Sequence, residues 1–185
     1  MRVKNIIILV AATAGFLVIT KALIGAPAFA DGNEREESGG HGKEAGERLM
    51  APDNKLYKDE CSSCHLAYPA GLLPGRSWEG IINESKRHFG EDLGLDDGTR
   101  KDLSVYLKAN SSENAGGELA GKITRSIGSV YPERITEVPY IKKEHRKIRE
   151  DVFKRQSIKS FSNCSACHRN AENGDFDEDA VSIPK

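Results

Sequence analysis

Four stretches of the chain repeat their apolar positions at the helical interval. Asp53 or Asn54 can cap a helix that runs into Cys61, with Leu56 or Tyr57, Cys61 and Cys64 returning to one face. Ser77 opens a second, in which Trp78, Ile81, Ile82, Ser85 and then the pair His88 and Phe89 form one stripe. Asp96 or Asp97 caps a third from about Thr99 to Ala109, whose apolar side is Leu103, Tyr106 and Leu107. The fourth covers Tyr140 to Arg155: Ile141, His145, Ile148 and Val152 recur on one side, while Lys142, Lys143, Arg146, Lys147 and Arg149 mostly project elsewhere. Between Glu118 and Pro139 no period is clear, and only short extended or helical pieces are expected. The pattern as a whole predicts a mostly α protein.

Punctuation between these stretches divides the chain. Leu66 to Gly75 holds two prolines and two glycines among apolar residues, and so predicts a loop that still buries side chains. The run Asn110 to Gly117 closes a first half, and Glu172, Asp175, Asp177, Glu178 and Asp179 make an acidic tail. Upstream, Arg2 and Lys4 precede an apolar run from Ile6 to Ile19 and an Ala-Pro-Ala-Phe-Ala ending at Ala30, the pattern of a cleaved secretory leader over residues 1–30. That run falls short of the roughly 18 or more apolar residues a spanning helix needs, though retention as an anchor is the alternative. Residues 31–48 are rich in Gly and Glu and predict a mobile acidic arm.

Charge narrows the partners. The leader carries three basic residues and no acid; subtracting those three from 27 leaves 24 basic against 28 acidic residues, a formal charge of −4. That balance speaks against a nucleic-acid partner. Two halves of the remaining chain, 49–112 and 113–185, bury little core on their own, so a large prosthetic group is expected to fill much of each.

The candidate chemistry lies in a pentapeptide and its echo: Cys61-Ser62-Ser63-Cys64-His65 and Cys164-Ser165-Ala166-Cys167-His168. Cysteines at i and i+3 on one turn can each form a thioether to a haem vinyl group while the histidine at i+4 faces the iron, so each motif reads as a c-type haem attachment site. Zinc or redox Cys-x-x-Cys is the competing reading, but paired zinc knuckles sit about 15–20 residues apart, whereas 99 residues separate Cys64 from Cys164. All four cysteines fall inside the motifs, which predicts two covalent haem c groups. Haem c is attached outside the bacterial cytoplasmic membrane, so export to the periplasm is expected.

Each iron then takes His65 or His168 from its own motif. The other ligand comes from His41, His88, His145 or Met50. His88 follows the motif histidine His65 by 23 residues and His145 precedes the motif histidine His168 by 23, each on an apolar stripe, so His88 is assigned to the first haem and His145 to the second. Exchange of the two between halves is the alternative; His41 in the arm and Met50 at its edge are weaker candidates. Two imidazoles per iron lower the potential relative to a His/Met pair and leave no vacancy for oxygen or peroxide, which points to electron transfer and away from an enzyme.

The stretches Ala67 to Trp78, Arg134 to Pro139, Glu144 to Arg149 and Gly174 to Phe176 resemble those of the dihaem cytochrome c family of bacterial periplasmic electron carriers, over roughly Leu49 to Lys185. The resemblance implies an N-terminal half like the small class I cytochromes c, a less regular helical C-terminal half, and bis-His ligation at both irons. It also implies redox partners such as a membrane cytochrome b or a small oxygen-binding monohaem cytochrome, with the membrane reached only through a partner. Arg76 and the basic face of the fourth helix are candidates to pair with haem propionates. Two other functions compete: a dihaem peroxidase-like enzyme with one open iron, and a ligand-binding haem sensor or anchored subunit.

Overall fold

A computed structural model describes residues 47–185, which belong to one compact unit. The leader, His41 and the arm up to residue 46 lie outside the described residues. Six helices carry the described chain: α1 Lys55–Cys61, α2 Gly75–Asn83, α3 Asp97–Ala109, α4 Gly117–Ile127, α5 Pro139–His145 and α6 Glu150–Phe153. Among the described residues there is no strand, only the isolated bridges Arg48 to Asp175 and His88 to Glu91. No helix there is long and apolar enough to cross a membrane.

The N-terminal part is built around the pair α2 and α3, with α1 laid against α3. Asn54 caps α1 by accepting from the Tyr57 amide at 2.9 Å, and Asp96 caps α3 by accepting from the Thr99 amide at 3.0 Å. Helix α2 has Pro74 at its cap and no side chain of its own to satisfy the first amides. The Glu113 carboxylate, from the turn after α3, accepts from the Gly75 amide at 3.0 Å and places a negative charge at that positive end. Asn54→Ala should cost about 1 kcal/mol, read as a lower denaturation midpoint of the haem-loaded protein.

The expected loop at 66–75 does bury its side chains: Leu72 and Leu73 are 3% and 1% exposed around a single 3-10 turn, Ala70–Leu72. The Trp78 indole donates to the Ala70 carbonyl at 2.8 Å, and its ring meets the Tyr57 ring edge-on at 6.4 Å.

Three expectations change. The stretch without a visible period contains α4, which buries Leu119, Ala120, Ile123 and Ile127 between glycines of positive φ, Gly116 before it, Gly117 at its first position and Gly128 after it. These four join Tyr57, Trp78, Leu103 and Leu107 in one continuous core. The expected helix Tyr140–Arg155 is broken: α5 stops at His145, Ile148 is held by an i→i+3 bond to His145, and α6 restarts at Glu150. The charges match the break, since Lys142, Lys143 and His145 crowd the last turn of α5 while Glu150 and Asp151 open α6, each favourable to its own helix dipole. The stripe of α2 also ends early, at Asn83; His88 follows a separate 3-10 turn, Ser85–Arg87, and Phe89 is left-handed (φ 51°) and half exposed rather than in the core.

The N-terminal end of the described chain is tied to the segment just after the second motif, and the C-terminal end to the motif itself. The last residues of the expected arm are pinned: the Phe176 amide donates to the Glu47 carbonyl at 2.9 Å, and Arg48 pairs with Asp175 at 2.9 Å. The Leu49 amide donates to the Gly174 carbonyl at 2.8 Å, and Gly174 is left-handed (φ 73°) where a Cβ would fall 2.1 Å from the Leu49 carbonyl oxygen. The acidic tail folds back, with the Ser182 amide donating to the Cys167 carbonyl at 3.0 Å.

Candidate haem centres

The first motif begins on the last residue of α1 and finishes in the turn beyond it, so Cys61 is half-buried while Cys64 and His65 are exposed. Its two cysteines therefore do not share one continuous helix as expected. The His65 Nδ1 lies 2.7 Å from the Leu66 carbonyl oxygen. A carbonyl only accepts, so Nδ1 carries the proton and Nε2 keeps its lone pair for a metal. The His88 ring stands opposite, with centroids 6.1 Å apart and planes at 31°. Burial first, then the nearby His65 and Arg134, lowers the His88 pKa and favours the neutral, ligating form.

The second motif curls into a 3-10 turn, Cys164–Ala166, and the His168 amide donates to the Cys164 carbonyl at 2.8 Å. His145 ends α5, where its Nδ1 donates to the Ile141 carbonyl at 2.8 Å, leaving this Nε2 free as well. The rings of His145 and His168 are again 6.1 Å apart, here with planes at 64°. Phe161 meets His145 edge-on at 5.1 Å and Phe176 meets His168 at 5.5 Å, fixing both ring orientations. Burial lowers the His168 pKa. A cavity of 290 Å³ is lined by both cysteines and both histidines of this site together with apolar side chains such as Leu119, Ile141 and Ile148. At its edge Glu47 accepts from Lys122 at 3.0 Å and from the Tyr140 hydroxyl.

Both sites fit a haem iron. Two metal–imidazole bonds of about 2 Å, plus about 1 Å from each ring nitrogen to its centroid, place the centroids about 6 Å apart. A porphyrin supplies the four equatorial donors itself, so two histidines suffice. Zinc, by contrast, asks for three or four protein ligands, and among the described residues no three His, Cys, Asp or Glu side chains gather to hold a metal. The four cysteines form no disulfide. Burial pushes the Cys61 and Cys164 thiols up to about 11, so neither is a reactive thiolate at neutral pH.

Every histidine singled out within the described residues is thus brought to a partner, His88 to His65 and His145 to His168, not crosswise. Met50 is 58% exposed and stands in neither pair. Arg76 lies over the Tyr131 ring at 4.7 Å. The aromatic walls of the second site, Phe161 and Phe176, had no periodic signal, because they stand outside any helix, on either side of the motif.

The family described as dihaem cytochrome c matches residues 57–176. A solved dihaem cytochrome c from Rhodobacter sphaeroides is 38% identical with a TM-score of 0.61, over 69% of this chain and 99% of that one. Another, from Shewanella baltica, is 35% identical with a TM-score of 0.59, over 72% of this chain and 94% of that one. No curated protein matches. The match over most of the described chain, carrying both pentapeptides, makes this protein a member of the dihaem cytochrome c family, with two covalently bound haem c groups.

Proposed function

We propose that the protein is an exported dihaem electron carrier whose irons are both bis-His ligated. Cys61 and Cys64 tether the first haem between His65 and His88; Cys164 and Cys167 tether the second between His145 and His168. The observation that carries this reading is the repeated ring separation of 6.1 Å, which leaves neither iron an open axial position once both haems are held. Exposed Cys64 and His65 make the first haem the one that meets a redox partner, while the second is the more enclosed. That partner is a membrane cytochrome b or a small monohaem cytochrome in the periplasm, reached after cleavage of the leader at Ala30; mass spectrometry of the mature N-terminus should then begin at Asp31.

Optical and paramagnetic spectra of the oxidised protein, followed by carbon monoxide after reduction, test the ligation. Two low-spin, methionine-free signals and no carbon monoxide uptake are expected. The signals should differ, because crossed imidazole planes leave the iron d-orbitals closer to degenerate than parallel ones, making the second haem the more anisotropic. A high-spin component or carbon monoxide binding would overturn bis-His ligation and bring forward an enzyme or ligand sensor.

A further inference from the structure

The four histidines of the two sites are not held equally. His65 is braced twice, since its Nδ1 donates to the Leu66 carbonyl and the Tyr68 ring stacks on it, centroids 5.1 Å apart and planes at 25°. His145 has the Ile141 carbonyl and the Phe161 ring. His88 has no such acceptor among the described residues and opens a tight turn, closed where the Glu91 amide donates to the His88 carbonyl at 3.1 Å. Both central residues of that turn are left-handed, Phe89 at φ 51° and Gly90 at φ 110°. Such turns favour Gly, Asn or Asp, so a phenylalanine there is strained. What the strain achieves is a contact: the Phe89 ring lies on His88, centroids 4.7 Å apart and planes at 56°. Arg134 lies over the same ring, its guanidinium carbon 3.9 Å from the centroid. Arg134 comes from the other half of the chain, and its neighbours dock on α2: Tyr131 lies under Arg76, and Glu133 lies against Gly80, where a Cβ would fall 2.9 Å from its Oε1.

We propose that Phe89 and Arg134 form a clamp that keeps His88 on the first iron. Phe89 is the jaw that touches the imidazole, and Arg134 holds that ring in place through the attraction of a guanidinium for an aromatic face. Both are positioning residues; neither touches the iron. A half-buried imidazole in a tight turn, with no hydrogen bond to fix it, swings away from a metal unless a neighbour blocks its path. An iron that keeps both ligands in both oxidation states rearranges little when an electron arrives or leaves, and the clamp holds the more exposed haem in that condition. The proposal rests on the bis-His electron-carrier reading.

Cyanide added to the oxidised, haem-loaded protein reads the clamp directly. The Fe–N bond to histidine breaks, an Fe–C bond to cyanide forms and the iron stays ferric, at a rate set by how often the histidine lets go. The low-spin signal that changes identifies the haem. Phe89→Asn removes the ring and puts at φ 51° a residue that tolerates the left-handed region. It should admit cyanide to the first haem several-fold faster while the denaturation midpoint stays unchanged or rises, opposite to the loss of an ordinary packing residue. Arg134→Ala should quicken the same exchange, and Arg134→Lys should recover only part of the native rate, since an ammonium keeps the charge but not the flat stack. Exchange at the second haem should not change in any of the three. An unchanged rate in Phe89→Asn or in Arg134→Ala would overturn the clamp, as would equal quickening at both haems with a lowered midpoint, which would mean general loosening. Carbon monoxide uptake by the unmodified protein after reduction would instead sink the bis-His reading, so the two failures are distinguishable.

Discussion

His145→Ala is expected to convert the second haem from low-spin to high-spin and to open it to carbon monoxide, and His88→Ala to do the same at the first. Each variant removes one member of a ring pair 6.1 Å apart and leaves no nearby replacement: among the described residues the only methionine, Met50, is 58% exposed and outside both pairs. The two sites are separable because their ring planes meet at 31° and 64°, so the signal that disappears identifies the haem that lost its ligand. His145→Met should restore a low-spin iron at a higher potential, since a thioether stabilises ferric iron less than imidazole. Unchanged low-spin spectra in both alanine variants would refute the ligand assignment.

Trp78→Ala should destabilise the haem-loaded protein by about 3–5 kcal/mol in denaturant unfolding. Trp78 is 5% exposed, packs edge-on against Tyr57, and its indole satisfies the Ala70 carbonyl at 2.8 Å. Removing it leaves a cavity where α2 meets the 66–75 loop and strips that carbonyl of the shorter of its two hydrogen bonds, leaving only the Leu73 amide at 3.3 Å. Trp78→Phe fills most of the space and loses chiefly the hydrogen bond, so about 1–2 kcal/mol is expected. Because the same loop carries Tyr68, the alanine variant should also weaken the stack on His65, visible as a broadened low-spin signal from the first haem. A loss below about 1 kcal/mol in Trp78→Ala would mean that the loop is held by other contacts.

The helices that were legible were those whose signals are local. Asp96 before Thr99 and the stripe Leu103 and Leu107 describe α3 within one or two turns of chain, and the structure has them as read. Helix α4 was hidden because glycines flank it and Gly121 interrupts it, although Leu119, Ala120, Ile123 and Ile127 do keep helical spacing once seen together. The break after His145 was masked by an apolar stripe that continues through Ile148 and Val152. The switch from basic to acidic residues at Glu150 was the available sign.

The pentapeptides, the assignment of two haems and the short list of distal histidines follow from sequence alone, because attachment chemistry is confined to five consecutive residues and the chain offers few other ligands. That His88 stands in a turn beyond α2, that each distal ring faces its own motif, and that Tyr68 reaches Ser162 are tertiary facts. Residues 94 positions apart meet only when the packing of α1, α2, α4 and α5 brings their loops together, and no local periodicity encodes that distance.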